Sequence, residues 1–422
     1  MRFMLYSLNY APELTGIGKY NGEMCAELVK RNLDVTAVVA PPYYPEWKIH
    51  KPYRQYLYQR ELNQAVNLIR CPLYVPKKVT TIKRIIHLAS FAFSSSFALL
   101  SKLFSKPDII LLVQPTLFCA PFALLYAKLT GAKSIMHIQD YEVDAMLGLG
   151  LLGEASNNHK SQKNSTVVRL IKKIECWLSN RFDAVSTISL SMIENAIAKG
   201  VDKDKIIYFP NWSDTEFVTP ATCGRALKQE WGFNSNDKII LYAGNIGKKQ
   251  GLELVLQAAQ NCSDNCDIKF VLVGAGAHVD NLKNLAKNMQ LDNVFFKPLQ
   301  AWERVPEMLA LADVHLVVQN KGAADAVLPS KLTNILSAGG HALVTAEKNT
   351  ELGNIAKNHP GIFTLVEPED VNAFTAGLQT MVAKDTSLHN VIAREYATQY
   401  LAKDKILDQF VINLKKLTDK SV

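Results

Sequence analysis

Short apolar runs, many of them rich in β-branched residues, recur along the chain, and stretches with helical spacing separate them. Five such runs lie in the first half, at Phe3–Leu8, Val35–Val39, Ile109–Val113, Ser134–Ile138 and Ala184–Ile188. Five more follow Pro210, at Ile239–Tyr242, Lys269–Val273, Val294–Phe296, Val314–Val318 and Ala342–Val344. Strands that alternate with helices form parallel sheets buried on both faces. The pattern therefore predicts an α/β protein with two doubly wound domains.

The length of 422 residues also favours more than one domain, because single hydrophobic cores stop growing beyond roughly 250–300 residues. We expect a first domain over residues 1–205 and a second over residues 206–395, since the series of strands restarts between them. A last helical pattern covers Val371–Leu417. Its end, in residues 396–422, is a candidate helix to pack back on the first domain.

The chain is basic, with 47 Lys and Arg against 39 Asp and Glu, and the excess is uneven. Residues 1–200 carry 24 basic and 14 acidic side chains, whereas residues 201–422 carry 23 and 25. No zinc-finger spacing, Arg-rich recognition helix or aromatic RNA-binding signature accompanies this charge, which argues against a nucleic-acid partner. An anionic substrate or surface that faces the first domain is the better explanation.

The seven cysteines are scattered and form no C-x-x-C pair, so the sequence predicts neither a disulfide framework nor a zinc site. The N-terminal run Met1–Leu8 meets Asn and Pro within a few residues and has no small-residue cleavage site. We interpret it as a first strand rather than a signal peptide. These features predict a cytoplasmic protein that holds no metal.

Glycine-rich loops follow several predicted strands, at the sheet edge where open α/β proteins bind ligands. Gly16 and Gly18 precede a predicted helix, Tyr20–Arg31, and the loop Gly244–Gly251 follows the strand Ile239–Tyr242. Glycine lets backbone N–H groups approach a phosphate at the positive end of a helix. Ordinary flexible turns are the alternative explanation.

Lysines and a serine accompany these loops. Lys248 and Lys249 lie in the loop Gly244–Gly251 and can balance charge on a departing diphosphate. Ser330 and Lys331 open a predicted helix and can hold phosphate, although an ordinary Ser N-cap would also explain the serine. Gly276, in a short G-x-G after another strand, is a weaker nucleotide-binding candidate.

A histidine and three carboxylates lie at the end of the predicted strand Ser134–Ile138. His137, Asp140, Glu142 and Asp144 can orient a sugar hydroxyl or take its proton. Acidic residues that begin a helix near its positive end are the alternative. The sequence leaves both explanations open.

The segment Lys77–Lys106 contains six basic residues and no acidic one. Its central apolar stretch, residues 85–100, is too short and too rich in serine to span a bilayer. An apolar helix with basic flanks can instead lie in a lipid interface, or it can be a core helix with charged ends. The basic excess of the first half favours membrane contact.

Long motifs of the chain resemble the retaining glycosyltransferases of family four, and specifically their colanic acid fucosyltransferase-like branch. The match runs over nearly the whole chain. The motifs that carry it are Asn9–Tyr20, Ala40–Pro45, Cys71–Pro76, His137–Leu149 and Leu328–Leu336.

The resemblance implies the B-type glycosyltransferase fold, in which two Rossmann-like domains face each other across a cleft. It implies transfer of fucose from GDP-fucose to a lipid-linked glucose, with retention of configuration, at the inner face of the plasma membrane during bacterial exopolysaccharide synthesis. The nucleotide sugar is a substrate, and no cofactor is expected. In this family the second domain binds the donor and the first binds the acceptor.

The resemblance gives the candidate residues their roles. His137, Asp140 and Lys248 are the catalytic candidates, and Glu142 and Asp144 are the acceptor-binding ones. The nucleotide-sugar candidates share loops with glycine or lysine and are Gly16, Gly18, Asn245, Lys248, Lys249, Gly276, Ser330, Lys331 and Asn334.

The chain departs from the family pattern at the predicted diphosphate site. Asn245 stands where the family has a phosphate-binding Arg, and Gln250 stands where it has a Lys. Lys248 and Lys249 are the residues available to replace them.

Two further departures concern the sugar. The family's Glu-x7-Glu pair is absent, because its positions fall on Ala326 and Asn334, of which Asn334 can still bond a ribose. The His of the family's His-Asp element falls on Gln139, with His137 two residues earlier on the same side of the strand. The sequence leaves open which of His137 and Gln139 meets the sugar.

We therefore interpret the chain as a metal-independent glycosyltransferase. A nucleotide-sugar epimerase or hydrolase on the same fold is the first alternative. A non-catalytic sugar-nucleotide-binding subunit is the second, and the missing carboxylate pair motivates it.

Overall fold

The computed structural model describes residues 1–13, 16–78, 80–141, 166–321, 329–386 and 388–419. The chain divides into two compact units, which are Met1–Phe209 with Leu407–Val422, and Pro210–Ile406. Each unit contains one largely parallel sheet with helices, so the predicted pair of doubly wound α/β domains is confirmed.

The first unit contains an eight-stranded sheet in the order β3-β4-β2-β1-β5-β6-β7-β8. Its strands are β1 Arg2–Ser7, β2 Asp34–Val39, β3 Gln59–Asn63, β4 Val66–Arg70, β5 Ile109–Gln114, β6 Lys133–Ile138, β7 Ala184–Thr187 and β8 Ile206–Tyr208. Strand β3 runs antiparallel to β4, and the other neighbours are parallel. The central strands β1 and β5 are almost wholly buried, which explains why they are apolar on both faces.

Helices connect the parallel strands of the first unit. They are Gly16–Lys30, Thr81–Leu100, Ala120–Thr130, Thr166–Arg181 and Leu190–Ala198. The helix Thr81–Leu100 begins at Thr80, whose hydroxyl accepts the backbone N–H of Lys83. The hairpin of β3 and β4 is an element that the sequence pattern did not predict.

The second unit contains a six-stranded, wholly parallel sheet in the order β11-β10-β9-β12-β13-β14. Its strands are β9 Lys238–Ala243, β10 Ile268–Val273, β11 Val294–Lys297, β12 Val314–Val317, β13 Ala342–Thr345 and β14 Thr364–Val366. Side chains of β9 alternate between two apolar clusters: Ile240 and Tyr242 lie in one, and Ile239 and Leu241 in the other. This alternation buries the sheet on both faces.

The helices of the second unit follow its strands. They are Arg225–Glu230, Glu253–Asn261, Val279–Asn288, Val305–Ala310, Ser330–Ser337, Glu351–Asn358, Val371–Val382 and Val391–Tyr400. The predicted helical segment Val371–Leu417 is in fact three helices, the last of which is Lys403–Thr418. Asn390 begins the second of them by accepting the backbone N–H of Ala393. Residues Leu407–Val422 belong to the first unit, whereas the sequence placed this boundary at residue 395.

Within the described ranges, no helix combines the length and apolar character needed to cross a membrane. The same part of the chain holds no group of three His, Cys, Asp or Glu side chains placed to bind a metal ion.

Candidate functional site

The strand order of the second unit reverses between β9 and β12. From β9 the chain builds outward through β10 and β11, and it then returns to add β12, β13 and β14 on the other side. Open parallel sheets bind ligands beyond the carboxyl ends of the two strands at such a switch point. The loop after β9 begins at Gly244, and the helix Ser330–Ser337 follows β12.

The loop Gly244–Gly247 lies directly against the loop Gly274–His278, which follows β10. Two backbone hydrogen bonds join them, from Ile246 N–H to Ala275 O at 2.8 Å and from His278 N–H to Ile246 O at 3.1 Å. A third, from Gly244 N–H to Val273 O at 2.9 Å, ties the first loop to the end of β10. A Cβ on Gly274 would overlap the carbonyl oxygen of Gly244. Glycine is therefore required here for a close approach of two backbones. We call these segments the two glycine loops.

Lys331, in the first turn of the helix Ser330–Ser337, extends to the first glycine loop. Its Nζ lies 3.9 Å from the centre of the Tyr242 ring and 3.4 Å from where a Cβ on Gly244 would be. In the described part of the chain no carboxylate or other hydrogen-bond acceptor pairs with this ammonium group. Burial lowers the pKa of Lys331 to about 7. A half-buried cation without an anion, beside a loop in which the Asn245 N–H has no acceptor among the described residues, is suited to bind a phosphate.

The pKa of Lys331 predicts opposite pH trends for the free and the anion-bound protein. The unfolded chain holds the Lys331 proton more tightly than the folded one. The Lys331 contribution to the free energy of unfolding therefore rises from pH 7 toward the ordinary lysine pKa. A bound anion favours the charged form, so stabilisation by inorganic pyrophosphate is expected to be larger at pH 6 than at pH 8.5.

Thermal unfolding with and without pyrophosphate at these two pH values measures this difference. Lys331→Met is the control variant, because it removes the titrating group. A pyrophosphate effect that is equal at both pH values in the unchanged protein would contradict the assignment.

Of the other predicted residues in the loop after β9, some make contacts within the loop and one is exposed. The backbone oxygen of Asn245 accepts a hydrogen bond from the Tyr242 hydroxyl at 2.6 Å, and its Oδ1 lies beside Gly276. Lys248 is exposed in a short turn, and the side chain of Lys249 lies outside what the structure describes. Gln250 accepts the N–H of Gly247 at 3.1 Å, so it closes the turn where the family has a lysine.

Two residues of the helix Ser330–Ser337 belong to the predicted donor site. Ser330 is exposed at the first helical position. Asn334 accepts the Ser213 hydroxyl at 2.8 Å through Oδ1, and within the described residues its amide N–H groups have no acceptor. Those N–H groups are available to a ligand oxygen.

The sequence missed Gln319, which follows β12 at the switch point. The amide nitrogen of its side chain is buried, and no described residue accepts a hydrogen bond from it. A buried donor without a partner is costly by about 1–3 kcal/mol unless a ligand satisfies it. A single glutamine after a strand gives no sequence signal for this role.

In the first unit, Glu13 holds the predicted glycine segment. The helix Gly16–Lys30 begins at Gly16, which has a left-handed φ of 62°, and a Cβ on Gly18 would approach the Glu13 Cβ to 2.7 Å. Glu13 is buried and accepts the backbone N–H groups of Tyr43 and Tyr44 at 3.1 Å each. Burial raises the pKa of this carboxyl group. Glu13 therefore ties the loop after β1 to the loop after β2, a role that the sequence did not reveal.

His137 lies inside the first unit and not at its surface. The ring donates to Ser186 Oγ at 2.8 Å and accepts from Gln139 Nε2 at 2.9 Å, with only 2% of the residue exposed. Burial lowers the pKa of His137 to about 3, so the ring is neutral at physiological pH. His137 therefore contacts Ser186 and Gln139 inside the unit, and its catalytic role stays a prediction.

The carboxylates predicted beyond β6 are only partly described. Asp140 is exposed at the end of the strand. Glu142 and Asp144, the predicted acceptor-binding residues, lie outside the described residues.

Comparison with known proteins identifies the family. Residues 15–212 match the family "Glycosyl transferase 4-like domain", and residues 225–399 match the family "Glycosyl transferases group 1". WcaI of Escherichia coli (strain K12), named as a colanic acid biosynthesis glycosyl transferase, is 47% identical over 98% of this chain and 100% of its own. The chain therefore belongs to the glycosyltransferases that join a 4-like domain to a group 1 domain.

Solved structures agree on the fold. Sucrose-phosphate synthase from Thermosynechococcus elongatus superimposes with a TM-score of 0.77 at 15% identity, over 100% of both chains. Anabaena Alr3699/HepE in complex with UDP-glucose gives a TM-score of 0.69 at 15% identity, over 98% of this chain and 99% of its own. The fold is that of the B-type glycosyltransferases.

Proposed function

We propose that this protein transfers a sugar from a nucleotide sugar, and that the two glycine loops and Lys331 bind the diphosphate of the donor. The Lys331 ammonium, which lies beside Gly244 with no anionic partner in the described structure, is the observation that carries this proposal. This ammonium group lies at the switch point of the sheet, where open parallel sheets bind ligands. The neighbour Alr3699/HepE holds UDP-glucose on the same fold.

The proposed reaction needs no metal. As the anomeric bond loosens, negative charge accumulates on the departing diphosphate. Lys331 stabilises that charge together with the Asn245 N–H, which has no acceptor in the described part of the chain. The exposed Lys248, in the short turn that follows the first glycine loop, adds a further positive charge. The proposal includes retention of configuration, as the sequence resemblance implies.

The proposed substrates are GDP-fucose and a lipid-linked glucose, in the synthesis of a colanic acid-type exopolysaccharide. The sequence motifs and the 47% identity to WcaI support this choice. Asn334, whose amide N–H groups have no acceptor among the described residues, is the proposed ribose ligand. Glu142 and Asp144 keep their proposed role toward the acceptor.

Incubation of the purified chain with a panel of nucleotide sugars and a lipid-diphosphate glucose tests this proposal. Transfer from GDP-fucose to the lipid, with the product anomer assigned by NMR, is the expected result. Conversion of the nucleotide sugar without any acceptor would indicate an epimerase or hydrolase. Donor binding without transfer to any acceptor would indicate a non-catalytic subunit.

We also propose that the first unit binds the inner face of the plasma membrane. The helix Thr81–Leu100 buries one face, with Leu88, Phe91 and Leu99, and exposes a second apolar one. This second face continues past the helix end and consists of Ile82, Ile86, Phe93, Phe97, Leu100 and Phe104. The spacing of the first five follows the helical repeat, so they form one stripe, and the exposed Phe104 follows it in the next turn. Phe104 is 95% exposed, and Phe93 is 66% exposed.

Charge favours an anionic lipid surface as the occupant of this stripe. Six basic residues lie at the two ends of the stripe, and the segment contains no acidic residue: Lys77, Lys78, Lys83, Arg84, Lys102 and Lys106. Each basic side chain near an anionic surface contributes about 1 kcal/mol, and burial of each phenylalanine adds roughly 1.5–3 kcal/mol. A lipid-linked acceptor is presented at such a surface.

The double variant Phe93→Ser/Phe97→Ser is expected to weaken binding to vesicles that contain anionic lipid by at least about tenfold. Both side chains are exposed, so folding is expected to survive. Leu388→Ser/Val391→Ser in the second unit is the matched control, because it removes comparably exposed apolar groups elsewhere. Vesicle flotation measures both. Equal losses in the two variants, or recovery of no protein at low salt, would contradict the proposed membrane surface.

A further inference from the structure

Tyr242 connects the two halves of the proposed diphosphate site. It lies on β9, one residue before the end of the strand, and is fully buried. Its hydroxyl donates to the backbone oxygen of Asn245 at 2.6 Å, and the Lys331 ammonium lies 3.9 Å above its ring. One side chain therefore contacts both the loop after β9 and the helix after β12.

The hydroxyl group acts on the loop. Backbone hydrogen bonds tie the first glycine loop to the end of β10 through Gly244 and to the second glycine loop through Ile246. The carbonyl of Asn245, between these two residues, is held by Tyr242 instead. A loop of this kind has glycines on both sides and little intrinsic stiffness. The Tyr242 hydroxyl therefore fixes the orientation of the peptide that joins Asn245 to Ile246.

The ring acts on the lysine. A cation over the face of a tyrosine ring is attracted by about 0.5–2 kcal/mol, and more when water is excluded. No carboxylate in the described residues competes for this ammonium group. Gly244 lies beside it, since a Cβ there would be in van der Waals contact, at 3.4 Å, with both Lys331 Cε and Nζ. The ring thus holds the positive charge beside the loop amides without neutralising it.

We infer that Tyr242 is the positioning residue of the donor site. Its hydroxyl fixes the conformation of the first glycine loop and its ring fixes the position of the Lys331 ammonium, so that both can bind the same diphosphate. This inference rests on the proposed function. It assigns no contact between Tyr242 and the substrate. The hydroxyl and the ring have separable tasks, which makes the inference testable with two substitutions at one position.

Titration calorimetry of the full chain with GDP and with UDP, at several pH values, separates these tasks. Tyr242→Phe removes the loop anchor and keeps the ring, so we expect roughly tenfold weaker binding with the inflection still near pH 7. Tyr242→Leu removes both, so we expect about 100-fold weaker binding. Its inflection is expected to move toward the ordinary lysine value, because the ammonium group turns to solvent.

Tyr6→Phe is the matched control. Tyr6 is also buried on a central strand, and its hydroxyl bonds Ser95 Oγ at 2.6 Å, but it lies in the first unit. We expect this variant to lose stability and to bind GDP as the unchanged chain does. Binding that is unaltered in both Tyr242 variants, or weakened equally in all three variants, would overturn the inference alone. An unchanged chain that binds neither GDP nor UDP would overturn the proposed function and the inference with it.

Discussion

Replacement of Lys331 with methionine is expected to lower kcat/KM for sugar transfer by roughly 10²–10³-fold, the range seen when one preorganised group that stabilises developing charge is removed. Methionine keeps the length and the apolar contacts of the lysine stem but carries no charge. The Lys331 ammonium has no anionic partner in the described structure, so its removal leaves no carboxylate unpaired. The free protein is therefore expected to unfold at the same temperature or a higher one.

Lys269→Met is the matched control for this experiment. Lys269 lies on β10 in the same sheet, and its Nζ donates to the backbone oxygen of Cys266, at the amino end of that strand. We expect this variant to transfer sugar at nearly the original rate. Steady-state kinetics and thermal unfolding of both variants check the prediction. A Lys331→Met protein that stays folded and retains turnover within twofold would remove Lys331 from the site.

Replacement of Gly274 with alanine is expected to destabilise the second unit by about 2–4 kcal/mol and to abolish nucleoside diphosphate binding. The added Cβ would overlap the carbonyl oxygen of Gly244, so one glycine loop must move. Gly274 also has a φ of 158°, which L side chains rarely adopt. The displaced loop would then carry its amides away from Lys331.

Gly232→Ala is the control that distinguishes the effect of backbone strain from the effect of atomic overlap in Gly274→Ala. Gly232 has a left-handed φ of 85°, but a Cβ there meets no atom within 4 Å. Its replacement is expected to cost only about 1–2 kcal/mol, with diphosphate binding intact. Denaturant unfolding and calorimetry measure the two effects. If the two alanine variants were equally stable and bound the nucleoside diphosphate equally well, the close packing of the glycine loops would not contribute to binding.

The central parallel strands were predictable because their residue patterns are local, whereas the parallel strands β4, β8 and β14 were not predicted. The run Ile239–Tyr242 is apolar on both faces, and the structure buries it on both faces. The hairpin of β3 and β4 was not predictable, since β3 is polar and largely exposed. Its turn also lacks the usual signal: Gln64 and Ala65 both adopt left-handed conformations, where glycine or asparagine is more common.

The glycine loops and Lys331 could be recognised from the sequence, but Tyr242, which contacts both, could not. Tyr242 and Lys331 are 89 positions apart, and only the pairing of β9 with β12 brings the lysine helix beside the loop. The role of Glu13 in joining two loops was unpredictable for a similar reason, because its partners Tyr43 and Tyr44 follow a different strand. The burial of His137 was not predictable either, because it depends on the neighbouring strand β7, which carries Ser186.

The most direct measurement of the central claim is the calorimetric titration of the full chain with GDP and UDP, alongside guanosine and uridine. If amides and Lys331 bind the diphosphate, at least one nucleoside diphosphate binds far more tightly than its nucleoside. Binding between pH 7 and pH 9 is then accompanied by uptake of a proton, detected as a dependence of the heat on the buffer. Equal affinity for nucleoside and diphosphate, with no proton uptake, would contradict the account.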